Sequence, residues 1–195
     1  MRKLSIVESV TLDRVMQAPG RPDEDRRGGF EHGGWAAPYS DETMGREMAK
    51  GMGSTSLLLG RRTYEQFYDF WPKQTDGNPF TDVLNNARKY VASTTLEEPL
   101  PWQNSTLLDG DAGDSVAALK AEPGDDLVVL GSGQLVQTLM QRGLIDEFVL
   151  MIHPLVLGTG TRLFRDDEQP AAANLRLENT VPTPTGVIIA TYRPN

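Results

Sequence analysis

The sequence predicts an α/β fold with a mainly parallel central sheet, flanking helices and antiparallel strands at its C-terminal edge. In the first two thirds of the chain, short apolar runs alternate with segments of helical spacing, as in Leu127–Leu130 followed by Leu135–Met140. Continuous runs of this kind are typical of strands buried on both faces of a parallel sheet. The last two strand-like runs, Leu175–Glu178 and Val187–Tyr192, have no helix between them. That arrangement favours antiparallel pairing at the edge of the sheet.

Length and composition restrict the function classes. A chain of 195 residues is expected to form one domain, residues 1–195, with a sizeable core. The net charge of −8 argues against nucleic acid and anionic membranes as partners. The absence of cysteine excludes disulfides, thiolate zinc sites and a cysteine nucleophile, and two histidines are too few for a histidine-rich metal site. No signal peptide or membrane-length apolar run is found, so a cytoplasmic location is expected.

The first half of the chain is predicted to contain three strands and three helices. The strands are Leu4–Val10, Ser56–Leu59 and Lys89–Thr94, and the helices begin near Ser40–Glu42, at Thr63 and at Asp82. Thr63 and Gln66 have the spacing of a capping box, which predicts a helix that begins at Thr63 and is closed by Trp71-Pro72.

Methionine recurs every fourth residue in the first predicted helix, at Met44, Met48 and Met52. Such a stripe favours a core-facing surface over a cofactor site. Gly51 and Gly53 are predicted to end this helix.

A long segment rich in glycine and proline, Gln17–Gly34, follows the first strand. A loop of this length in a compact domain is usually either a functional lid or a disordered segment, and both remain open.

The second half continues the alternation and then changes to strands. A short strand at Thr106–Leu108 precedes a helix over Ser115–Ala121 that Asp114 is predicted to cap. A further strand lies within Ile145–Pro154, and the acidic stretch Asp166–Asn174 is predicted to be a surface loop.

Three predicted strands end in residues suited to an anionic ligand. These ends are Gly60–Thr63, Ser93–Thr94 and Gly131–Gly133. In an open α/β sheet ligands bind at the carboxyl ends of the strands, so parallel strands would place all three groups along one edge. Glycines let a ligand approach the backbone, and the free N–H groups at a helix start attract phosphate. An extended dinucleotide could therefore lie along this edge.

Arg61 and Arg62 support the same interpretation. Two cations at a helix start oppose the positive end of the helix dipole, and a bound phosphate would reverse that cost. The alternative is that one arginine is solvated while the other pairs with a nearby carboxylate. In the dinucleotide interpretation the pyrophosphate lies over Gly131–Gly133, and an adenosine phosphate lies near Arg61 or Ser93.

Several motifs in order resemble a known superfamily. GRRTYEQF, KYVAST and VVLGSGQLVQTLM are similar to segments of dihydrofolate reductases. LIDEFVLMIHPLVLGTGTRLF and the opening SIVESVTLDRVMQAP more closely resemble the reductase domain of riboflavin biosynthesis, the RibD C-terminal-like family. The resemblance covers nearly the whole chain. It implies a dihydrofolate-reductase-like fold, NADPH as cofactor, and hydride transfer to a C=N or C=O group.

The resemblance also assigns site residues. It puts Gly60, Arg61 and Thr63 at the cofactor phosphates and Ser93 near the adenosine ribose or its 2′-phosphate. Five consecutive residues are assigned to the pyrophosphate and the nicotinamide ribose: Gly131, Ser132, Gly133, Gln134 and Leu135. The segment Val15-Met16-Gln17 would pass near the nicotinamide.

A carboxylate near the substrate could orient it and favour its protonated form. The resemblance places Asp41 or Glu42 in that position, and Asp13 at the end of the first strand is a second candidate. Asp41 could instead be only a helix cap, and Asp13 an ordinary turn residue. Asp13 is followed by Arg14, where relatives usually have glycine. His153 is predicted to be a structural, hydrogen-bonded residue, and Trp35 either lines the pocket or holds the loop.

These observations predict an NADPH-dependent reductase of a small pterin- or pyrimidine-like heterocycle, of the dihydrofolate reductase or 5-amino-6-(5-phosphoribosylamino)uracil reductase type. Alternatives are a nucleotide-binding regulatory module without turnover and a structural dimer protein. The expected partner is a small-molecule substrate, with no metal. The resemblance also implies a homodimer, because relatives often pair through their late strands, and the apolar runs Phe148–Ile152 and Val187–Ala190 are compatible with one.

Overall fold

The computed structural model describes residues 1–50, 55–75, 77–164 and 173–195, and the chain divides into two compact units. The first unit comprises residues 1–5 and 51–144, and the second comprises residues 6–50 and 145–195. Each unit is therefore assembled from two separate stretches of the chain.

Eight strands and five α-helices are found in the described residues. The strands are β1 (Leu4–Thr11), β2 (Thr55–Gly60), β3 (Lys89–Ala92), β4 (Ser105–Leu108), β5 (Asp126–Leu130), β6 (Glu147–His153), β7 (Leu175–Pro182) and β8 (Ile188–Pro194). The helices are α1 (Glu42–Ala49), α2 (Arg61–Phe70), α3 (Pro79–Asn86), α4 (Ala112–Ala121) and α5 (Gly133–Gln141).

Four parallel strands form the sheet of the first unit, in the order β4-β3-β2-β5. In this register Gly60 lies opposite Ala92, and Leu58 lies opposite Val129. The strands β3, β2 and β5 therefore end at the same edge. The consecutive residues Leu57–Leu59 are all buried, which confirms the prediction of strands covered on both faces.

Three predicted helix starts in the first unit are wrong. Helix α3 begins at Pro79 instead of Asp82, after the N-cap Asn78. Helix α2 begins at Arg61 after Gly60, so Thr63 lies within its first turn instead of capping it. Gly60 has the extended backbone that an N-cap position requires (φ −77°, ψ 158°). Helix α4 begins at Ala112 and is capped by Asp111, whose side chain accepts hydrogen bonds from the N–H groups of Gly113 and Asp114. Asp114 therefore lies in the first turn.

The second unit contains the strand order β1-β6-β8-β7. Strand β8 pairs antiparallel with both β6 and β7. This confirms the antiparallel edge that we predicted because no helix separates the last two strands. The β7 strand continues to Pro182, beyond the predicted Leu175–Glu178, with an irregularity in register between Leu177 and Asn179.

A hydrophobic cluster in the second unit accounts for the late apolar runs. Met44 on α1 packs with Met151, Val187 and Ile189, and Met48 packs against the same cluster. The core-facing role predicted for these two methionines is confirmed. Met52, Gly51 and Gly53 lie outside the described residues, as does nearly all of the predicted loop Asp166–Asn174. The apolar runs expected to form a dimer interface thus contribute to the unit's own core.

The segment 17–34 is packed against its own unit. Phe30 is buried in a cluster with Val15 and Trp35. The N–H of Gly34 donates to the carbonyl of Ala18 at 2.8 Å, so the two ends of the segment are bonded to each other. These contacts argue against a disordered segment, and a role as a functional lid stays a prediction. Within the described residues, no helix has both the length and the apolar character that crossing a membrane requires.

Candidate active site

All nine residues predicted to bind a cofactor lie at one edge of the first unit. We call this edge the rim and define it by Gly60–Thr63, Ser93–Thr94 and Gly131–Leu135. Its three parts follow the carboxyl ends of β2, β3 and β5, which are neighbouring parallel strands. The order of the strands therefore brings together turns that are far apart in the sequence.

Two turns of the rim are joined by side-chain hydroxyl groups. The N–H of Gly60 donates to Ser132 Oγ at 2.9 Å, and Ser132 Oγ donates to Thr63 Oγ1 at 3.0 Å. Thr63 Oγ1 in turn donates to the carbonyl of Gly131 at 3.0 Å. These bonds connect the end of β2, the first turn of α2 and the end of β5.

The helices α2 and α5 both begin at the rim, and neither has a side-chain cap in the described part of the chain. The first N–H groups of a helix have no acceptor inside the helix, and the dipole adds partial positive charge there. Two uncapped helix starts on neighbouring strand ends thus offer main-chain donors suited to a phosphate or pyrophosphate.

Gly131 shapes the turn that leads into α5. Its φ of +62° lies in the left-handed region, and an added Cβ would lie 3.1 Å from the methyl group of Thr63. The position therefore favours glycine both in backbone conformation and in space.

The cations of the rim are accessible. Arg61 Nη1 lies 3.2 Å from Glu65 Oε2 one helical turn away, and its side chain is 39% exposed. This is the carboxylate pairing considered above as the alternative to a phosphate contact. A surface pair of this kind contributes at most about 1 kcal/mol, so it leaves Arg61 able to exchange its partner for a phosphate. Arg62 is exposed at the same helix start.

Ser93 closes the turn after β3. Its Oγ accepts hydrogen bonds from the N–H groups of Thr95 and Leu96, both at 3.1 Å. The rim therefore combines main-chain donors, accessible arginines and a glycine cradle, and these features fit an anionic dinucleotide. Direct contact of each of the nine residues with such a cofactor stays a prediction.

In the second unit, Asp41 is the N-cap of α1. Its Oδ1 accepts from the N–H of Met44 at 2.8 Å, and its Oδ2 accepts from the hydroxyl of Thr185 at 2.9 Å. The bond from the Met44 N–H, together with those from Thr185, holds the pKa of the Asp41 carboxyl below its ordinary value. Asp41 is therefore ionised at neutral pH, and its part in substrate binding stays a prediction.

Asp13 holds a loop of the second unit. Its oxygens accept from the N–H groups of Leu157 at 3.2 Å and Gly158 at 2.8 Å, and from the hydroxyl of Thr11 at 2.6 Å. Burial raises the pKa of Asp13, but these hydrogen bonds outweigh it and the net pKa is lowered. Arg14, at the position where the resemblance leads us to expect glycine, adopts a positive φ of 70°. The turn thus keeps the glycine-like backbone.

Gln17 has a larger structural role than the sequence indicated. Its buried amide donates to the carbonyls of Asp25 and Arg27 and accepts from the N–H of Thr161 at 2.9 Å. Its own carbonyl accepts from Trp35 Nε1 at 2.7 Å. Gln17 therefore connects the start of the glycine-rich segment to its middle and to Trp35, just after its end. A polar residue at the edge of a loop gives no local signal of such a role.

His153 is fully buried in the second unit, as a structural residue should be. Its Nδ1–H donates to the carbonyl of Met151 at 2.9 Å. Its ring packs edge to face against the rings of Trp35 and Tyr39, with centroid distances of 5.0 and 5.6 Å. Burial lowers the pKa of His153 below its ordinary 6.5, although backbone carbonyls partly oppose the shift. The imidazole is therefore neutral in the folded protein at neutral pH.

This burial predicts a loss of stability in acid. Below pH 6.5 the unfolded chain binds a proton at His153 that the folded protein excludes, so the free energy of unfolding decreases as the pH falls through this range. Urea unfolding between pH 7 and pH 5 measures the slope. His153→Gln should flatten it, and an unchanged slope in that variant would assign the effect to other groups.

Comparison with known proteins agrees with the geometry. Residues 2–189 match the RibD C-terminal domain family. An uncharacterized Bacillus subtilis protein, YyaP, is 32% identical over 143 residues, which are 72% of this chain and 74% of that protein. A second uncharacterized B. subtilis protein, YwjB, is 30% identical over 125 residues, 64% of this chain and 66% of its own.

Solved structures show the same fold. A Shewanella sp. PV-4 protein named for riboflavin biosynthesis has a TM-score of 0.73 at 20% identity and 99% coverage of both chains. A pyrimidine reductase-like protein of Corynebacterium diphtheriae has a TM-score of 0.67 at 12% identity, covering 100% of this chain and 92% of its own. Enterococcus faecalis dihydrofolate reductase, solved with NADP(H), has a TM-score of 0.62 at 13% identity, covering 99% of this chain and 96% of its own. The chain thus has a dihydrofolate-reductase-like α/β fold with antiparallel C-terminal edge strands, and it belongs to the RibD C-terminal domain family.

Proposed function

We propose that the protein is an NADPH-dependent reductase that transfers a hydride to a C=N or C=O group of a small heterocycle, pterin-like or pyrimidine-like. The observation that carries the proposal is the rim, where two uncapped helix starts and accessible arginines follow neighbouring strand ends. Membership in the RibD C-terminal domain family supports a reductase-type fold.

In this proposal the first unit holds the cofactor. The N–H groups at the starts of α2 and α5 bind the pyrophosphate, and Gly131 lets it approach the backbone. Arg61 binds the 2′-phosphate, and Ser93 lies toward the adenosine ribose. Bound NADPH supplies the hydride, since side chains of this protein have no equivalent chemistry.

Reduction of an imine also requires a proton on the acceptor. Asp41 and Asp13 have lowered pKa values, so they are carboxylates at neutral pH and do not supply that proton themselves. The role that we propose for them is to orient the acceptor and stabilise its protonated form.

Replacement of Arg61 by alanine should weaken the binding of NADPH more than the binding of NADH, because only NADPH carries the 2′-phosphate. Loss of a charge-assisted bond predicts an increase in the NADPH Kd of about tenfold or more, with a much smaller change for NADH. Fluorescence titration measures both. Arg62→Ala is the matched control one residue away and should change the NADPH-to-NADH ratio less. Equal losses for both nucleotides in Arg61→Ala would rule out Arg61 as the 2′-phosphate ligand.

The proposed function is tested in two stages. Titration of the protein with NADPH and NADH, followed by nicotinamide fluorescence, establishes binding and the preference between them. Candidate pterins and pyrimidines are then screened for loss of the absorbance of the reduced nicotinamide. Binding with acceptor-dependent oxidation is the expected result, and absence of binding would refute the proposal.

One observation favours a second candidate, a nucleotide-binding regulatory module without turnover. Both predicted carboxylates already have structural roles, Asp41 as a helix cap and Asp13 in a loop. NADPH binding without oxidation by any acceptor of either class would favour this candidate.

A further inference from the structure

We propose that Ser132 and Thr63 are positioning residues that act as one unit, a hydroxyl clamp that holds the two helix starts of the rim in place for a single pyrophosphate. The proposal rests on the NADPH site proposed above and concerns how that site is maintained. The family resemblance gives both residues direct contact with the cofactor, whereas the geometry directs their hydroxyl groups toward the protein.

The direction of the hydrogen bonds follows from the groups at the two ends. The N–H of Gly60 can only donate, and the carbonyl of Gly131 can only accept. When Ser132 donates to Thr63, the protons run from Gly60 N–H to Ser132 Oγ, from Ser132 Oγ to Thr63 Oγ1, and from Thr63 Oγ1 to the Gly131 carbonyl. The carbonyl of Leu130, 3.1 Å from Ser132 Oγ, is a competing acceptor within the same turn. The protons of both hydroxyl groups are thus committed to acceptors within the protein.

The clamp is shielded from water. Ser132 is 6% exposed and Thr63 is 5% exposed. Inside a protein, linked hydrogen bonds strengthen one another, and a buried polar atom that loses its partner is costly. Removal of the Ser132 hydroxyl leaves the Gly60 N–H without its acceptor, and removal of the Thr63 hydroxyl leaves the Gly131 carbonyl without its donor, so either loss interrupts the chain of hydrogen bonds.

The clamp joins segments that lie far apart in the sequence. Thr63 and Ser132 are 69 positions apart, in the first turn of α2 and at the N-cap of α5. Their bond fixes the spacing between the two sets of main-chain donors. Since NADPH and NADH carry the same pyrophosphate, loss of the clamp should weaken both equally.

A double-mutant cycle tests the proposal by binding, without turnover. The variants are Thr63→Val, which keeps the side-chain shape, Ser132→Ala, and the two combined. Fluorescence titration with NADPH and NADH should show each single variant raising both Kd values about tenfold, and the double variant raising them no further. Thr63→Ser retains the hydroxyl and should bind like the wild type.

Two controls separate the clamp from a loss of folding. Thr138→Ala removes a hydroxyl from α5, the helix that Ser132 precedes. The Thr138 Oγ1 donates to the Gln134 carbonyl at 3.3 Å, and its loss should leave the Kd values of NADPH and NADH unchanged. Inorganic pyrophosphate should compete with NADPH less well in the clamp variants than in the wild type. If Thr63→Val does not fold, the cycle built with Thr63→Ala should show the same coupling.

The outcomes distinguish the two proposals. Suppose that the wild-type protein binds the nucleotides and that the Kd of the double variant is raised by the product of the two single effects. Thr63 and Ser132 would then act independently, and this result would overturn the clamp but not the proposed function. Singly substituted variants that bind like the wild type would also overturn it. A wild-type protein that binds neither nucleotide would overturn the clamp and the proposed function together.

Discussion

Replacement of Gly131 by alanine is expected to weaken NADPH binding by about tenfold or more. The residue has a φ of +62°, and a side chain in the left-handed region costs roughly 1–2 kcal/mol. The new Cβ would also press on the Thr63 methyl group, 3.1 Å away. The chain can relieve both by rotating the peptide that leads into α5, which would turn the main-chain groups of the rim. Since about 1.4 kcal/mol corresponds to tenfold, the strain alone predicts this loss.

Gly143 provides a matched control for this experiment. It follows the other end of α5 with nearly the same backbone, φ +63°, and an added Cβ would meet nothing within 4 Å. Gly143→Ala should therefore lose similar stability, a decrease in Tm of about 2–8 °C, and bind NADPH normally. Equal binding losses in both variants would attribute the effect to helix stability, and normal binding by Gly131→Ala would contradict the proposed role of the turn.

Replacement of Lys89 by methionine is expected to lower the free energy of unfolding by about 3 kcal/mol. Lys89 is fully buried, and its Nζ donates to the carbonyls of Asn85, Ala87 and Gln103 at 3.0, 2.8 and 3.2 Å. The ammonium also lies 4.2 Å from the centre of the Trp102 ring. Burial lowers the pKa of Lys89 to about 8, so the group is still protonated at neutral pH. Methionine fills the space but leaves these acceptors without their donor.

Urea unfolding measures the loss, and Lys73→Met is its matched control. The Lys73 side chain is 66% exposed and pairs only with Asp69 across one turn among the contacts described, so its replacement should cost less than about 1 kcal/mol. A loss at Lys89 as small as at Lys73 would show that the carbonyl contacts contribute little to stability.

The strand-to-turn-to-helix units could be predicted from the sequence because their signals are local. The apolar runs that became β2 and β5, the glycines after them and the helical spacing beyond fixed the order of elements. Parallel neighbours then implied that the turns meet at one edge. The register between Gly60 and Ala92 agrees with that inference.

The residues whose roles could not be predicted from the sequence depend mostly on contacts with distant parts of the chain. Thr63 has the local spacing of a helix cap, yet its hydroxyl bonds to Gly131, 68 positions away. Lys89 reads as an ordinary polar residue at a strand start, whereas three carbonyls from two segments enclose it. Asp111 and Asp114 have equal propensity to cap, and the backbone conformation at Asp111 decides between them. Propensity does not encode such tertiary partners.

Backbone amide NMR of the isotopically labelled protein during titration with NADPH tests the central claim most directly. If the rim holds the dinucleotide, the largest shifts should occur at Arg61–Thr63, Ser93 and Gly131–Leu135, with NADH reproducing those at Gly131–Leu135. Saturable shifts concentrated elsewhere, or no shifts at millimolar NADPH, would contradict the account.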